Sequence, residues 1–470
     1  MRRRKEDNCL LYNAMRKSAN SKYEIDMVNG PLLGKIIVYA LPLMASGILQ
    51  LTFNAVDLII VGQYAGSNAL AAVGSTSSLI NLMVNLFIGL SAGANVLVAR
   101  FYGGGQKQAL KESVHTSVAI SVIGGFLLIF VGFFLARPIL TLMDTPPEII
   151  DDAVTYIQIY FSGMPIIMLY NFGSAILRAV GDTRRPLYYL FLAGVLNVGL
   201  NILFVKNLHM GVAGVALGTV LSQVVSTTLL VRALMTSEGA YRLEWKEIRI
   251  TKDKLLKMLQ IGLPAGIQSS LFSLSNVMIQ SSINSFGANV VAGNTAASNI
   301  EGLVYTGMNA IYQTALSFVG QNYGAGKLKR IKKISVICIG IVIFTGLLLG
   351  QAAILFNGPL LKLYGTTGQE IEYGMLRMSI VCKMYFICGI MDVLVGILRG
   401  MGYAVMPMIV SLSGACLLRI IWIMTVFEHF KSLRVLYLSY PVTWTITASV
   451  HVICLMFVFK KLKNVLTNEE

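Results

Sequence analysis

Hydrophobic residues recur along this chain in long runs that are separated by short polar stretches. Each run is long enough to cross the roughly 30 Å hydrocarbon layer of a bilayer as an α-helix. The alternating pattern of about ten residues that indicates a membrane β-strand does not recur. The pattern therefore predicts an all-α integral membrane protein with twelve transmembrane helices. These lie near residues 36–60, 69–97, 114–136, 153–177, 187–205, 211–233, 257–283, 290–318, 334–356, 372–398, 405–427 and 439–459.

The distribution of basic residues predicts how this protein is oriented. If the N-terminus is inside, the inner segments hold 30 of the 38 Lys and Arg residues, the outer segments hold five, and three lie within helices. Basic residues concentrate on the cytoplasmic side of membrane proteins. Residues 1–30 lack the apolar core of a cleaved signal peptide. We therefore expect a multi-pass protein of the cell (inner or plasma) membrane with both termini in the cytoplasm.

Composition supports the membrane assignment and removes one class of partner. The chain is 55% hydrophobic and 13% charged, whereas soluble domains contain about 25% charged residues. A net charge of +16 could indicate binding to nucleic acid. Because most basic residues lie where the orientation requires them, we expect the lipid bilayer as a partner and no nucleic acid.

The chain is an internal repeat. Its longest inner loop, TSEGAYRLEWKEIRITKDK (236–254), follows the sixth predicted helix. A parallel repeat of this kind predicts two pseudo-symmetric six-helix lobes, with the substrate between them and alternating access by rocking. The matching stretches are ALP (40–42) with GLP (262–264), ARFYGGGQK (99–107) with GQNYGAGK (320–327), and LRAVGDTRRP (177–186) with LRGMGYAVMP (398–407), at offsets of 222, 221 and 221.

The repeat also predicts the domain boundaries. We expect a cytoplasmic tail over 1–35, an N-lobe over 36–235, an inter-lobe loop over 236–256, a C-lobe over 257–460 and a cytoplasmic tail over 461–470.

The first predicted helix carries a polar stripe. Ser46, Gln50, Asn54 and Asp57 follow at steps of 4, 4 and 3, a spacing that puts them on one helical face. A carboxylate at bilayer depth costs about 2.5–3.5 kcal/mol on insertion scales, so it usually faces a protein interior or a wet cavity. A helix-end position, where Asp57 reaches the outer headgroups, is the alternative. We expect Pro42, Gln50 and Asn54 to line the substrate cleft.

The second half carries its own charges within the predicted helices. A lone cation in lipid is costly, so we expect pairing, with Arg419 opposite Glu301 or Asp392. A structural ion pair is the favoured interpretation, and a second cation or proton site is the alternative. In either case we place Glu301 and Asp392 at the substrate cleft. The five charged residues are Glu301, Arg377, Lys383, Asp392 and Arg419.

Three enzyme patterns are absent or incomplete. GLSAG (89–93) matches G-x-S-x-G but lies inside a predicted helix, without the strand-turn-helix corner or partnered His that this motif needs. GQNYGAGKL (320–328) lacks the spacing and the final Ser or Thr of a phosphate loop. The four His residues have no zinc-binding spacing. We therefore expect no enzyme activity and no cofactor; a membrane enzyme would need catalytic residues clustered at a membrane face.

The motifs resemble the MATE (multidrug and toxic-compound extrusion) family within the multidrug/oligosaccharidyl-lipid/polysaccharide exporter superfamily. The resemblance covers roughly residues 27–462 and implies a MATE-like fold with a V-shaped cleft between the lobes. It also implies a monomeric antiporter that exports cationic, amphiphilic small molecules against an inward flow of H⁺ or Na⁺. The matching stretches include 40–74, 89–105, LRAVGDTRRP, 196–205, 211–223, 315–327 and LRGMGYAVMP.

Within that family the DinF-type and archaeal branch implies a cation-coupling site in the N-lobe. Its pattern matches Asp57 on the first predicted helix, Asn171 on the fourth, Asn197 and Asn201 on the fifth, and Thr219 on the sixth. This branch often has Asp where the chain has Asn201, so only one acid remains. That acid can carry one proton or hold one Na⁺, with Asp57 and Asn197 as metal ligands. Interhelical packing is the alternative role for the asparagines.

One other transporter function stays open. A flippase for lipid-linked oligosaccharides, or an exporter of another metabolite, would belong to the same superfamily. A flippase for a diphosphate headgroup predicts a strongly basic cavity, whereas only three basic residues lie within the predicted helices. The sequence therefore favours a cation-coupled multidrug exporter.

Overall fold

A computed structural model describes residues 23–143 and 145–467, and all regular secondary structure in these ranges is helical. The predicted tails at 1–22 and 468–470 lie outside the described residues. The α-helices are α1 (Leu32–Tyr64), α2 (Ser67–Gly103), α3 (Lys107–Phe134), α4 (Ala136–Leu142), α5 (Pro147–Ser162), α6 (Met164–Ala179), α7 (Arg184–Asn201), α8 (Gly211–Thr236), α9 (Lys252–Asn284), α10 (Ala288–Gly324), α11 (Leu328–Leu355), α12 (Asn357–Leu363), α13 (Gln369–Val381), α14 (Tyr385–Gly400), α15 (Val405–Ser411), α16 (Leu418–Trp422), α17 (Glu428–Phe430) and α18 (Leu433–Thr467).

The all-α membrane fold is confirmed. Among the described residues, nine helical segments are long and apolar enough to cross a bilayer, or ten if α5 and α6, bent by 50° at their junction, count as one. Each of the twelve predicted segments lies on helical residues. The other two predicted segments lie on α9 and α10, which are 33 and 37 residues long but carry more polar side chains than the remaining ten segments.

Short stretches of other helix types interrupt several of these segments. π-helical turns occur at Ile202–Asn207, Leu412–Leu417 and Ile423–Phe427, and 3₁₀ turns at Trp245–Glu247 and Cys382–Met384. A π-helical turn inserts an extra residue into an α-helix and is frequently found at functional sites. The first of these turns directly follows Asn201, one of the predicted site residues.

Pro42 lies inside α1 without ending it. Proline has no backbone N–H, so an interior proline removes one intrahelical hydrogen bond. Helix α1 nevertheless continues to Tyr64, and the Ser46 hydroxyl donates to the Pro42 carbonyl at 2.8 Å. Pro264 occupies the corresponding position inside α9.

The chain divides into two compact units. The N-terminal unit contains residues 23–143 and 145–259 together with Gly324–Gly326, and the C-terminal unit contains the remaining described residues. Each has its own buried apolar core, around Phe161 and Met168 in the first and around Leu436 and Tyr437 in the second.

The predicted inter-lobe loop belongs to the N-terminal unit and packs on its helix α3. The Lys111 amine on α3 lies 3.3 Å from a Glu244 carboxylate oxygen and 2.8 Å from one of Glu247. The backbone N–H of Glu244 also donates to His115 Nε2 at 3.1 Å. These contacts fix the loop to the surface of α3.

Candidate cation site in the N-terminal unit

Asp57 lies well inside α1. Tyr64 at the helix end is seven positions farther along the chain, a distance of about 10 Å at 1.5 Å per residue. Its side chain is partly buried. Two helical turns therefore lie between the carboxylate and the helix end, which argues against a residue that only reaches the headgroups.

Helix α7 approaches α1 closely one turn before Asp57. A Cβ placed on Gly194 would fall far inside van der Waals contact of the Phe53 ring. Gly194 thus leaves room for the Phe53 ring of α1 to lie against α7. The close approach positions the asparagines of α7 opposite Asp57.

A chain of hydrogen bonds joins four of the five predicted coupling residues. Asn201 Nδ2 donates to Asp57 Oδ1 at 2.6 Å and lies 3.5 Å from Asn197 Oδ1. Asn197 Nδ2 in turn donates to Thr219 Oγ1 at 3.4 Å. Because Asn201 is fully buried and Asn197 nearly so, the carboxylate is held by neutral amides inside the protein.

The amide oxygen of Asn201 is the distinctive atom of this site. It is buried and has no hydrogen-bond donor, although a buried polar atom normally has a partner. It rests against Gly218 of α8, where any side chain would collide with it. The site therefore offers one carboxylate and, on the amide that donates to it, one unpartnered oxygen. Oxygen atoms of these two kinds suit a hard cation, and the carboxylate alone can take up a proton.

Two tyrosines missed by the sequence analysis also belong to this neighbourhood. Tyr156 and Tyr160 on α5 lie within electrostatic range of Asp57, and their rings stack with centroids 6.0 Å apart. Their spacing of four residues puts both on one face of α5. That spacing is the sequence signal that could have identified them.

The remaining predicted residues of this unit lie elsewhere on their helices. Asn171 donates to the Ile167 carbonyl of its own helix at 3.0 Å, and its role in cation coupling stays a prediction. Gln50 and Asn54 are exposed and Pro42 is partly buried. Within the described residues no group of three or more His, Cys, Asp or Glu side chains could hold a metal ion.

The buried acid Glu301 of the C-terminal unit has different surroundings from Asp57. Arg377 donates two hydrogen bonds to the Glu301 carboxylate, from Nε at 2.9 Å and from Nη2 at 2.6 Å. Its Nη1 also donates to Asn294 Oδ1 at 2.7 Å. Both charged side chains are 5% exposed. Glu301 therefore lies in a buried ion pair, but its partner is Arg377 and not the Arg419 that the sequence analysis named.

The predicted partner of Arg419 is wrong. Glu301 is paired with Arg377, and the arginine within electrostatic range of Asp392 is Arg399. Arg419 instead lies over the Tyr440 ring, 4.2 Å from its centroid. The error arises because Arg377 and Arg419 lie on different helices, and sequence spacing does not tell which of them faces Glu301.

Comparison with known proteins agrees with this architecture. The sequence profile of MatE, the MATE transporter family, matches residues 42–203 and 264–425. The chain belongs to the MATE family. Members of this family are transporters rather than enzymes.

Two curated relatives and one solved structure illustrate the likeness. The probable multidrug resistance protein YoeA of Bacillus subtilis is 26% identical over 440 residues, covering 90% of this chain and 93% of that protein. The probable multidrug resistance protein NorM of Thermotoga maritima is 26% identical over 391 residues, covering 80% and 82%. The outward-facing structure of a multidrug resistance MATE family transporter of the MOP superfamily superposes with a TM-score of 0.87 at 22% identity, covering 93% and 98%.

Proposed function

We propose that this protein exports cationic, amphiphilic small molecules, driven by the inward flow of one H⁺ or one Na⁺ that binds at Asp57. The names of its multidrug resistance relatives support drugs as the transported compounds, and the family resemblance supports their cationic, amphiphilic character. The observation that carries the coupling proposal is the pair formed by the Asp57 carboxylate and the unpartnered Asn201 oxygen. An intramembrane acid held only by neutral groups is typical of ion pathways.

The contact between Asp57 and Asn201 suggests how a cation acts on the fold. When Asp57 is ionised, its oxygen accepts the Asn201 N–H at 2.6 Å. A proton or Na⁺ on Asp57 removes that negative charge, and the amide then gains by turning its oxygen toward the cation. Since Asp57 is on α1 and Asn201 on α7, loading and emptying the site alters the contact between these two helices. Alternating access follows if the two arrangements favour opposite faces of the membrane.

The membrane orientation belongs to the same proposal. The excess of basic residues in alternate loops supports cytoplasmic termini and a location in the cell membrane. Two similar lobes within one chain support a monomer as the transporting unit.

Replacing Asp57 with Asn tests the coupling directly. We expect Asp57→Asn to insert and fold normally, because the amide keeps the size of the side chain and can still hydrogen-bond to Asn201. Transport of a labelled cationic dye into inside-out proteoliposomes, driven by an ion gradient, should fall to the level of protein-free vesicles. Asp151→Asn is the matched control, since that carboxylate is 81% exposed and lies outside the site. Gradient-driven transport that survives in Asp57→Asn would contradict the assignment.

The same vesicles identify the coupling ion. A pH gradient without sodium and a sodium gradient at uniform pH are imposed separately on the wild-type protein. One of the two should drive dye accumulation, and Asp57→Asn should abolish the response to that gradient. If neither gradient drives accumulation, cation coupling is wrong.

A further inference from the structure

Residues 23–27, which form a strap ahead of α1, pack on the turn that precedes α7. The Ile25 backbone N–H donates to the Gly181 carbonyl at 3.2 Å. The contact is close, because a Cβ on Gly181 would lie 2.6 Å from the Ile25 carbonyl oxygen. The Arg185 guanidinium lies 5.4 Å from the centroid of the Tyr23 ring. The strap therefore covers both the turn and the first residues of α7.

The internal repeat places a matching turn before α15 in the C-terminal unit. At the offset of 221, Gly181 corresponds to Gly402 and Arg185 to Met406. Both glycines have a positive φ, of +106° and +92°, so the backbone of the turn recurs. The side chains do not recur, because DTRR over 182–185 is replaced by YAVM over 403–406. The polar surface that holds the strap thus has a mostly apolar counterpart.

The segment that corresponds to the strap is engaged by a different helix. An offset of 222 relates the strap to residues 245–249, which precede α9. A Glu247 carboxylate oxygen lies 2.8 Å from the Lys111 amine on α3. The Thr116 hydroxyl, also on α3, donates to the Arg249 carbonyl at 3.4 Å. This segment is therefore bound to α3 of the N-terminal unit, unlike the strap, which packs on the start of α7.

An open groove of about 620 Å³ lies at the turn before α15. Cavities that hold small ligands measure about 300–1,000 Å³. Two of the lining residues, Gly402 and Met406, are the counterparts of the residues that contact the strap. Apart from Gln260 and the hydroxyl of Tyr403, the side chains that line the groove are apolar. The C-terminal unit therefore has an apolar groove at the position that the strap covers in the N-terminal unit.

The groove continues the apolar outer side of a membrane-spanning segment. Val405–Phe430 is a helical stretch of 26 residues that is apolar enough to cross a bilayer. Val405 and Ile409, which line the groove, are 50% and 54% exposed. Leu417 and Ile421 repeat their spacing of four residues farther along and are 53% and 46% exposed. Since residues four apart share a helical face, a lipid chain lying along this face can enter the groove directly from the bilayer.

We propose that this groove binds an acyl chain of a membrane phospholipid, which takes the place that the strap has in the N-terminal unit. The flexible side chain of Met406 adapts to a chain of variable shape. Tyr403 and Gln260 provide the polar end of the groove, and tyrosine is enriched where lipid headgroups meet the hydrocarbon. The bound chain packs between the start of α15 and Gln260 of α9 and stabilises the contact between these helices.

Photo-cross-linking on the full chain identifies the occupant of the groove. The photoreactive amino acid benzoylphenylalanine replaces Tyr403 in the groove or, as the control, Phe344, an aromatic residue of α11 that is 67% exposed. The protein is delipidated in detergent, supplied with palmitoyl-oleoyl phosphatidylglycerol, washed with detergent and irradiated. Mass spectrometry then identifies the adducts. We expect the phospholipid adduct to survive washing at position 403 and to be lost at position 344.

Filling the groove tests the same assignment without a cross-linker. Titration of the phospholipid into the delipidated wild-type protein should raise the thermal midpoint in a saturable manner. Ile409→Trp places a larger side chain in the groove and should abolish both this rise and the adduct at position 403. Ile421→Trp, the same change at an exposed isoleucine outside the groove, should leave both intact. If Ile409→Trp does not fold, Ile409→Ser, which removes apolar contact without adding volume, carries the test.

Other occupants of the groove would overturn the proposal. An adduct between position 403 and residues 1–22 assigns the groove to the chain's own N-terminal segment. Displacement of the phospholipid adduct by a cationic dye assigns it to a transported compound. Equal retention of lipid at positions 403 and 344, or a lipid response that persists in the Ile409 variants, shows that the groove holds no resident lipid. These measurements do not involve transport, so they can fail independently of the proposed drug export.

Discussion

Asp57 and Glu301 are both acids on long helices of a membrane protein, yet their surroundings are opposite in kind. The partner of Asp57 is the neutral amide of Asn201 at 2.6 Å. Glu301 accepts two hydrogen bonds from the charged guanidinium of Arg377. An acid with a neutral partner can take up a cation without displacing another charge, whereas a paired acid cannot. The difference separates a site that can change its charge during transport from one that holds helices together.

The internal repeat makes this contrast sharper, because the backbone features recur and the chemistry does not. Pro42 and Pro264 lie inside the first long helix of each unit. The π-helical turn at Ile202–Asn207 recurs at Ile423–Phe427, close to the offset of 221 residues. An offset of 222 from Asp57, however, leads to Ile279, which is buried among apolar side chains. The helical framework thus recurs in both units, whereas the position that matches Asp57 in the second unit holds an apolar residue.

Breaking the Arg377–Glu301 pair should have the largest effect on stability. Arg377→Met leaves Glu301 buried and unpaired, which costs about 3–5 kcal/mol in comparable pairs. Thermal unfolding of the purified protein in detergent should show this as a large fall in the transition midpoint. Lys431→Met, at an ion pair whose side chains are 69% and 65% exposed, is the control and should cost about 0–1 kcal/mol.

The same pair distinguishes a structural role from a coupling role. The double variant Arg377→Met, Glu301→Met should recover most of the lost stability, because neither charge of the pair is left buried without its partner. Its ion-driven dye transport per folded molecule should stay close to that of the wild type. Loss of transport in a stable double variant would show that Glu301 takes part in coupling and that the contrast with Asp57 is wrong.

A smaller effect is expected at Gly218, which shapes the other acid site. In Gly218→Ala the new methyl group would collide with the Asn201 oxygen, so Asn201 must move. Such overpacking costs about 1–3 kcal/mol, and we expect a clear loss of ion-driven transport. Gly199→Ala on α7 is the matched control, because a Cβ there meets nothing within 4 Å. If Gly218→Ala transports like the control, the position of Asn201 is not needed for coupling.

The fold was largely predictable from the sequence because the bilayer leaves the chain few options. Backbone groups in lipid must bond within their own segment, so long apolar runs become helices. The run at 153–177 was read as one segment but is bent by 50° at the α5–α6 junction, where Pro165 follows Gly163. Periodicity does not reveal such a bend, although the Gly and Pro residues at the junction were visible in the sequence.

The candidate site was predictable only in part. Family resemblance supplied Asn197, Asn201 and Thr219, and the structure places all three in one hydrogen-bonded chain with Asp57. It could not supply the partner of Glu301, because the choice between Arg377 and Arg419 depends on how distant helices are rotated against each other. Side-chain pairing across 76 residues is set by tertiary packing and not by local spacing.

The smallest effect on stability is expected at the ion pair between Lys111 and Glu247 on the protein surface. This pair extends the comparison from buried to surface charges. A hydrogen bond from Lys111 lowers the pKa of Glu247 from its usual value of 4.5. Because the folded-state pKa is the lower one, the stabilisation is present above the unfolded pKa and disappears as the pH falls through the folded pKa. Glu247→Gln should therefore match the wild-type thermal midpoint in acid and fall slightly below it near neutral pH. A midpoint difference that grows as the pH falls would contradict the attachment of the loop to α3 through Lys111.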